Sequence, residues 1–228
     1  NDFNTITEGA FSTNVYGLTN GVTYVYRCYV TNATGYHWST PLVAFTPGVV
    51  YVDSNAVAGA NNGTSWTDAY TNLANTLPSV QKYWDVWVAD GIYKPGATSN
   101  STFNLYTNQF YGGFAGGETN KSQRNWTNNI TALDGDLAGA SNACHIITKP
   151  ANTSTTVLDG FTIRNGTAAI DSPANRSGGA IYVLGGSLIL RNSTVANNYS
   201  VDNGGAIYID DLAGVSHIIS NCTFGFNY

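Results

Sequence analysis

The chain has no methionine, only three cysteines, and few charges: 9 Lys and Arg against 14 Asp and Glu in 228 residues. Charged residues make up 10%, well below the quarter or so of an ordinary soluble domain. The net charge of −5 and the lack of any basic run argue against nucleic acid or an anionic lipid surface as partner. No apolar run approaches the roughly 18 residues that a membrane-spanning helix needs. There is no signal peptide, yet neither is there a starting Met, so a mature form or a fragment is expected. Cys28, Cys144 and Cys222 match no zinc spacing, and an odd count leaves one thiol unpaired within the chain. They read as buried small hydrophobes, with one disulfide as the alternative. Polarity comes instead from 27 Asn, 27 Thr, 17 Ser and 25 Gly. With 43% hydrophobic residues and 15 Tyr, this composition excludes disorder and suits short strands joined by polar turns.

Residues 11–48 alternate with a period of two. Val22, Tyr24, Tyr26, Cys28 and Val30 share one strand face, and Asn32 to Gly35 turns the chain toward a second strand ending near Phe45. Pro47-Gly48 marks a boundary, which gives residues 1–47 and 48–228 as two parts. Val49 to Val52 reads as a strand. Trp66, Ala69, Tyr70, Leu73, Leu77 and Val80 then fall on one helical stripe, predicting a capping helix near residues 65–80 with Thr64 or Ser65 at its start.

Beyond this point strands and turns alternate, and a repeat emerges. Phe161-Thr162-Ile163, Ser193-Thr194-Val195 and Cys222-Thr223-Phe224 align at intervals of 32 and 29 residues. Gly178-Gly179-Ala180-Ile181-Tyr182 and Gly204-Gly205-Ala206-Ile207-Tyr208 interleave with them. Periods of 20 to 50 residues indicate a solenoid, a propeller or an array. Two or three short strands per repeat, with no propeller signature, point to a parallel β-helix. Ile181 is expected over Ile207, and Val195 over Phe224. The glycine pairs serve as coil corners with positive φ, and Asn165 and Asn197 as turn residues.

Two resemblances follow. Leu18, Gly21, Tyr24, Tyr26, Arg27, Tyr29, Asn32, Phe45 and Thr46 sit on a pattern that resembles the last third of a fibronectin type III domain, over about 45 residues. The alternation of Gly-Gly-Ala-Ile with Phe224-Gly225-Phe226-Asn227, and its degenerate copy Val195-Ala196-Asn197-Asn198, resembles the repeats of chlamydial polymorphic outer membrane proteins. More broadly, about 175 residues are similar to secreted right-handed β-helix proteins. The resemblance implies an all-β chain: a right-handed parallel β-helix with one N-terminal capping helix, preceded by a partial β-sandwich. It also implies a secreted or cell-surface protein, often adhesive or structural, and supplies no catalytic residues.

The enzyme alternative is a carbohydrate-active β-helix, a lyase or glycosidase, which needs clustered carboxylates. Asp134 and Asp136 in Leu-Asp-Gly-Asp-Leu, Asp159, Asp171 and the adjacent Asp210-Asp211 are the candidates, and each also reads as a turn or loop residue. His37, His145 and His217 lie in unrelated segments and assemble no triad. No catalytic residue, metal ligand or cofactor is assigned. The strongest chemical signal is the Asn-x-Ser/Thr acceptor motif, at Asn32, Asn62, Asn100, Asn120, Asn125, Asn129, Asn152, Asn165, Asn175, Asn192, Asn198 and Asn221. These 12 compare with roughly five expected from the Asn, Ser and Thr counts. Asn turns beside Thr strands also generate such motifs.

An unpaired solenoid end and an incomplete sandwich both invite strand addition from another chain. The expected function is therefore a non-enzymatic extracellular structural protein, glycosylated and joined head to tail into a filament or surface layer. Its partners are other copies of itself, with glycans or a host surface possible in addition. An ordered fragment of a larger adhesin is the first alternative, and the carbohydrate-active enzyme the second.

Overall fold

The computed structural model describes residues 15, 18, 22–80, 84–106, 108–138, 142–151, 154–169, 176–210 and 215–228. Gly21, Asn152, Asp171, Asn175 and Asp211, all named above, lie outside them. The chain divides into two compact units, Asn1–Pro47 and Gly48–Tyr228.

In the first unit the described strands form two antiparallel pairs. Tyr24–Tyr26 pairs with Val43–Phe45, and Tyr29–Asn32 with Gly35–Trp38 across the turn at Ala33-Thr34. The expected single strand over residues 22–30 is thus split at Arg27-Cys28. There the backbone changes partner: Cys28 N donates to Ser39 Oγ at 2.7 Å, and Ser39 N to the Cys28 carbonyl at 2.8 Å. Aromatic pairs hold each ribbon, with Tyr26 edge-on to Phe45 and Tyr29 against Trp38 at 4.6 Å. Cys28 is exposed, which corrects its reading as a buried hydrophobe: these two-stranded ribbons are open on both faces.

The second unit is built from parallel strands in three long sheets and one short pair, Thr167–Ala168 with Tyr199–Ser200. Sheet A runs Val49–Val52, Asp85–Ala89, Gln109–Phe114, Thr156–Asp159, Leu188–Arg191, Ile218–Ser220. Sheet B runs Gly91–Tyr93, Thr131–Asp134, Phe161–Arg164, Thr194–Ala196, Thr223–Gly225. Sheet C runs Phe103–Asn104, Ile147–Lys149, Ile181–Val183, Ile207–Ile209. From Asp85 onward the chain visits A, B and C in the same cyclic order, each visit pairing with the one before. The unit is therefore all-β, its parallel strands stacked in an arrangement compatible with a solenoid.

Register explains the core. Inward residues stack as Val50, Val86, Phe110, Leu158, Leu190 in sheet A and Leu133, Ile163, Val195 in sheet B. In sheet C they stack as Phe103, Ile147, Ile181, Ile207. Ile181 pairs with Ile207 and Val195 with Phe224, as the repeat predicts. Most of these side chains are fully buried, since period-two pleating points alternate residues into the space between the sheets.

The expected helix over residues 65–80 is shorter. Only Leu73–Thr76 is α-helical, followed by a 3-10 turn at Leu77–Ser79. Asn72, not Thr64 or Ser65, caps it, accepting from Asn75 N at 3.0 Å. Trp66 to Tyr70 does different work. Tyr70 N donates to the Tyr51 carbonyl and Asp53 N to the Tyr70 carbonyl, so this segment bridges the Val49–Val52 edge of sheet A. Trp66 covers the outer face of that sheet with Tyr51, Trp87 and Phe114, its Nε1 bonded to the Glu118 carbonyl. The apolar stripe is satisfied by an edge bridge and a lid, and sheet pairing overrides helical spacing.

Candidate functional site

Three columns of left-handed residues mark where each coil turns. Gly160, Asn192 and Asn221 have φ of 88°, 50° and 50° between sheets A and B. Asn165, Asn197 and Phe226 have 67°, 57° and 53° after sheet B. Gly178 and Gly204, at 74° and 62°, precede sheet C. Only Gly, and Asn at lower cost than other side chains, tolerates this region routinely, which accounts for the repeated letters. Gly179 and Gly205 play another part: a Cβ there would strike the backbone of Tyr199 and of Tyr228 respectively, so these positions admit close approach of the next turn.

Polar side chains cross-link the turns. Asn221 Nδ2 donates to Asn192 Oδ1 at 2.6 Å, and Asn192 Nδ2 to Asp159 Oδ1 at 2.7 Å. Asp159 also takes Arg124 at 2.8 Å and Arg191 at 3.6 Å. Asn198, almost wholly buried, donates to the Ile163 and Ala196 carbonyls and to Asn227 Oδ1, and accepts from Gly166 N. Asn227 Nδ2 in turn donates to the Val195 carbonyl at 2.8 Å. These bonds satisfy backbone groups that the turns would otherwise leave unpaired.

Of the carboxylates proposed from sequence, Asp134 and Asp159 are held in such bonds. Asp134 is buried and receives Arg164 Nε and Asn165 Nδ2, each at 2.8 Å, together with Asp136 N at 3.0 Å. Burial works to raise its pKa, but the Asp136 amide, Asn165 and Arg164 outweigh it and hold it below the usual carboxylate value. Asp136 is exposed and accepts from Ala138 N. The two share a turn in which one carboxylate fastens the backbone of the other. Asp210 is exposed just after the last strand of sheet C.

The three histidines are placed in three different settings. His37 is exposed on Gly35–Trp38. His145 is buried, stacked 4.8 Å from Tyr182, with Nδ1 3.0 Å from the Gly178 carbonyl. His217 Nδ1 accepts from Leu188 N. Among the described residues no group of three or more His, Cys, Asp or Glu is placed to hold a metal ion. All three cysteines are free: Cys144 is buried, which raises its thiol pKa, and Cys222 packs on the core.

Several features escaped the reading of the sequence. Tyr182 and Tyr208 stack face to face at 5.6 Å on the outside of sheet C, so the repeated Ile-Tyr splits into an inward ladder and an outward one. Period two alone could have shown this. Lys149 lies fully buried in line with Val183 and Ile209, Nζ 2.7 Å from the Gly185 carbonyl, its pKa lowered by burial. Lys121 bonds Asp85 and lies over the Tyr111 ring, both from other segments, and Arg124 lies over Trp126, two residues further on.

At the last described turn the inward ladders surface. Ile219 and Phe224 are 47% and 45% exposed, although their partners Leu190 and Val195 are buried. With Ala206, Ile207, Phe226 and Asn227 they line a shallow apolar depression.

No described helix is long and apolar enough to cross a membrane. Compared with known proteins, the chain matches no family model, no curated protein and no solved structure.

Proposed function

We propose that the chain is a non-enzymatic extracellular structural protein whose second unit is a right-handed parallel β-helix. The cyclic A, B, C order supports the β-helix, and the strong right-handed preference of parallel crossovers supports the hand. The first unit, by its Tyr and Arg pattern, is read as part of a fibronectin type III-like sandwich. The resemblance to polymorphic outer membrane protein repeats supports a secreted or cell-surface location.

The observation that carries the reading is the continuous register of stacked turns, whose polar side chains are spent on cross-links between turns. The strands Ile207–Ile209, Ile218–Ser220 and Thr223–Gly225 continue that register, with their ladder residues uncovered. A further coil of like register fits this surface. In a head-to-tail assembly another copy provides it, and a contact that does not close upon itself builds a filament. In a larger surface adhesin, more of the same chain provides it. A structural role for the carboxylates is favoured because Asp134 and Asp159 spend their oxygens on Arg and Asn cross-links.

Electron microscopy of the concentrated protein tests the assembly. Filaments or ordered sheets are expected; dispersed monomers at high concentration rule it out. Incubation with acidic polysaccharides, with and without calcium, tests the enzyme alternative through release of reducing or unsaturated ends.

A further inference from the structure

Eight of the ten Asn-x-Ser/Thr motifs on described residues fall into two physical classes; Asn129, whose Nδ2 donates to the Gly113 carbonyl at 3.2 Å, and Asn100 stand apart from both. In the first, the Asn side chain is folded back on its own motif. Asn32 Oδ1 accepts both the backbone N–H of Thr34 at 2.9 Å and its hydroxyl at 2.7 Å. Asn62 does the same with Thr64, Asn120 with Ser122 and Asn125 with Thr127. All four residues are exposed. Among the described residues their Nδ2 groups donate to no protein acceptor. In the second class the Nδ2 group is a structural donor. Asn165 gives it to Asp134, Asn192 to Asp159, Asn221 to Asn192, and Asn198 to the Ile163 and Ala196 carbonyls and Asn227.

We infer that Asn32, Asn62, Asn120 and Asn125 are sites of N-linked glycosylation, and that Asn165, Asn192, Asn198 and Asn221 stay unmodified despite carrying the same motif. The donor is a glycosyl diphosphate. The Nδ2 nitrogen forms a bond to the anomeric carbon, the anomeric C–O bond breaks with its electrons passing to the leaving diphosphate, and the carboxamide gives up one proton to a base of the transferring enzyme. Two donors on Oδ1 draw electron density from the amide and make its protons easier to lose. They also fix the side chain with Nδ2 toward solvent, where an enzyme and a bulky sugar fit. At the laddered positions the sugar would displace a cross-link between turns. Adjacent strands are only about 4.8 Å apart, too close to admit a pyranose between side chains.

The inference rests on the extracellular reading, because the donor is met on export. Site-resolved mass spectrometry of glycopeptides from the protein isolated from its natural source tests it, with fragmentation that leaves sugars attached. Sugar on two or more of the four folded-back asparagines and on none of the laddered four is expected. Sugar on fewer than two, or on any laddered asparagine, overturns it; a pattern set by the motif alone would mark both classes alike. Thr64→Val and Thr127→Val should abolish occupancy at Asn62 and Asn125 while leaving Asn32 and Asn120 occupied. Unglycosylated protein that still forms filaments sinks this inference alone, whereas glycosylated protein that stays dispersed sinks only the assembly.

Discussion

Asn221 donates its carboxamide to that of Asn192 at 2.6 Å, and both residues hold φ at 50°. Each asparagine therefore does two things, adopting a backbone shape that Ala resists and bonding the turn beneath. Substitutions can separate the two. Asn192→Gly keeps the shape and loses the bonds to Asp159 and Asn221, at a cost of about 1–2 kcal/mol. Asn192→Ala loses both and should cost a further 1 kcal/mol or so. Urea denaturation of the two variants measures the difference; equal midpoints would show that the backbone shape carries no penalty.

Ile181 is fully buried between Ile147 and Ile207, whereas Ile207 is only partly buried at the last turn. Ile181→Ala leaves a cavity that neighbouring turns cannot close and should cost about 2–5 kcal/mol. Ile207→Ala should cost clearly less in the dispersed protein. If another copy covers the last turn, the Ile207→Ala loss should grow on assembly, which thermal unfolding at low and high concentration would reveal.

The stacking was legible because a repeat turns sequence spacing into register: aligning Phe161-Thr162-Ile163 with Ser193-Thr194-Val195 already pairs Ile163 with Val195. Corner glycines were legible for the same reason, since Gly178 and Gly204 recur at one step of the turn and both have positive φ. What periodicity cannot encode was missed. The Arg124 to Asp159 bridge joins an irregular segment to the end of a strand 35 residues away. Trp66 and Tyr70 obey helical spacing but are claimed by the edge and outer face of sheet A. Among the acceptor motifs, spacing is identical throughout, and only the turn geometry distinguishes Asn62 from Asn192.

Acid should weaken the second unit partly through Asp134. Its folded pKa lies below the unfolded value of about 3.9. The stabilisation is thus present above that value and is lost as pH falls through the lower, folded one. Asp134→Asn removes this contribution, and its stability should change less than the parent's between neutral pH and the acid limb. Denaturant midpoints across that range provide the check; parallel curves would remove Asp134 as a source of acid sensitivity.

Lys149 acts in the opposite sense. Burial lowers its folded pKa below the free lysine value of about 10.4, so the folded protein releases the proton first as pH rises. Between the two values the unfolded chain holds more protons, and stability rises with pH there. Lys149→Met fills similar volume beside Val183 and needs no charge in the core. It should abolish this alkaline gain, and its stability at neutral pH should match or exceed the parent's, given the hydrogen bond to Gly185 that it forfeits. Unfolding followed from neutral to alkaline pH gives the slope, and an unchanged slope would assign the gain to another group.

Phe226 occupies the position that Asn165 and Asn197 hold in the turns beneath, with φ at 53° and its ring 73% exposed. A bulky residue in this region is strained, because Cβ approaches the carbonyl oxygen that follows, while burial returns little to an exposed ring. Asn relieves part of that strain through its short polar side chain. Phe226→Asn should therefore stabilise the dispersed protein by up to about 1 kcal/mol. The ring also lines the apolar depression with Ile219 and Phe224. If a further coil from another copy seats there, the same substitution should weaken filament formation while raising the unfolding midpoint of the monomer. Sedimentation of assembled material beside calorimetry of the dispersed form reads both effects, and the two moving in opposite directions is the expected outcome. A variant less stable than its parent would show that the Phe226 ring contributes more through packing than its backbone strain costs.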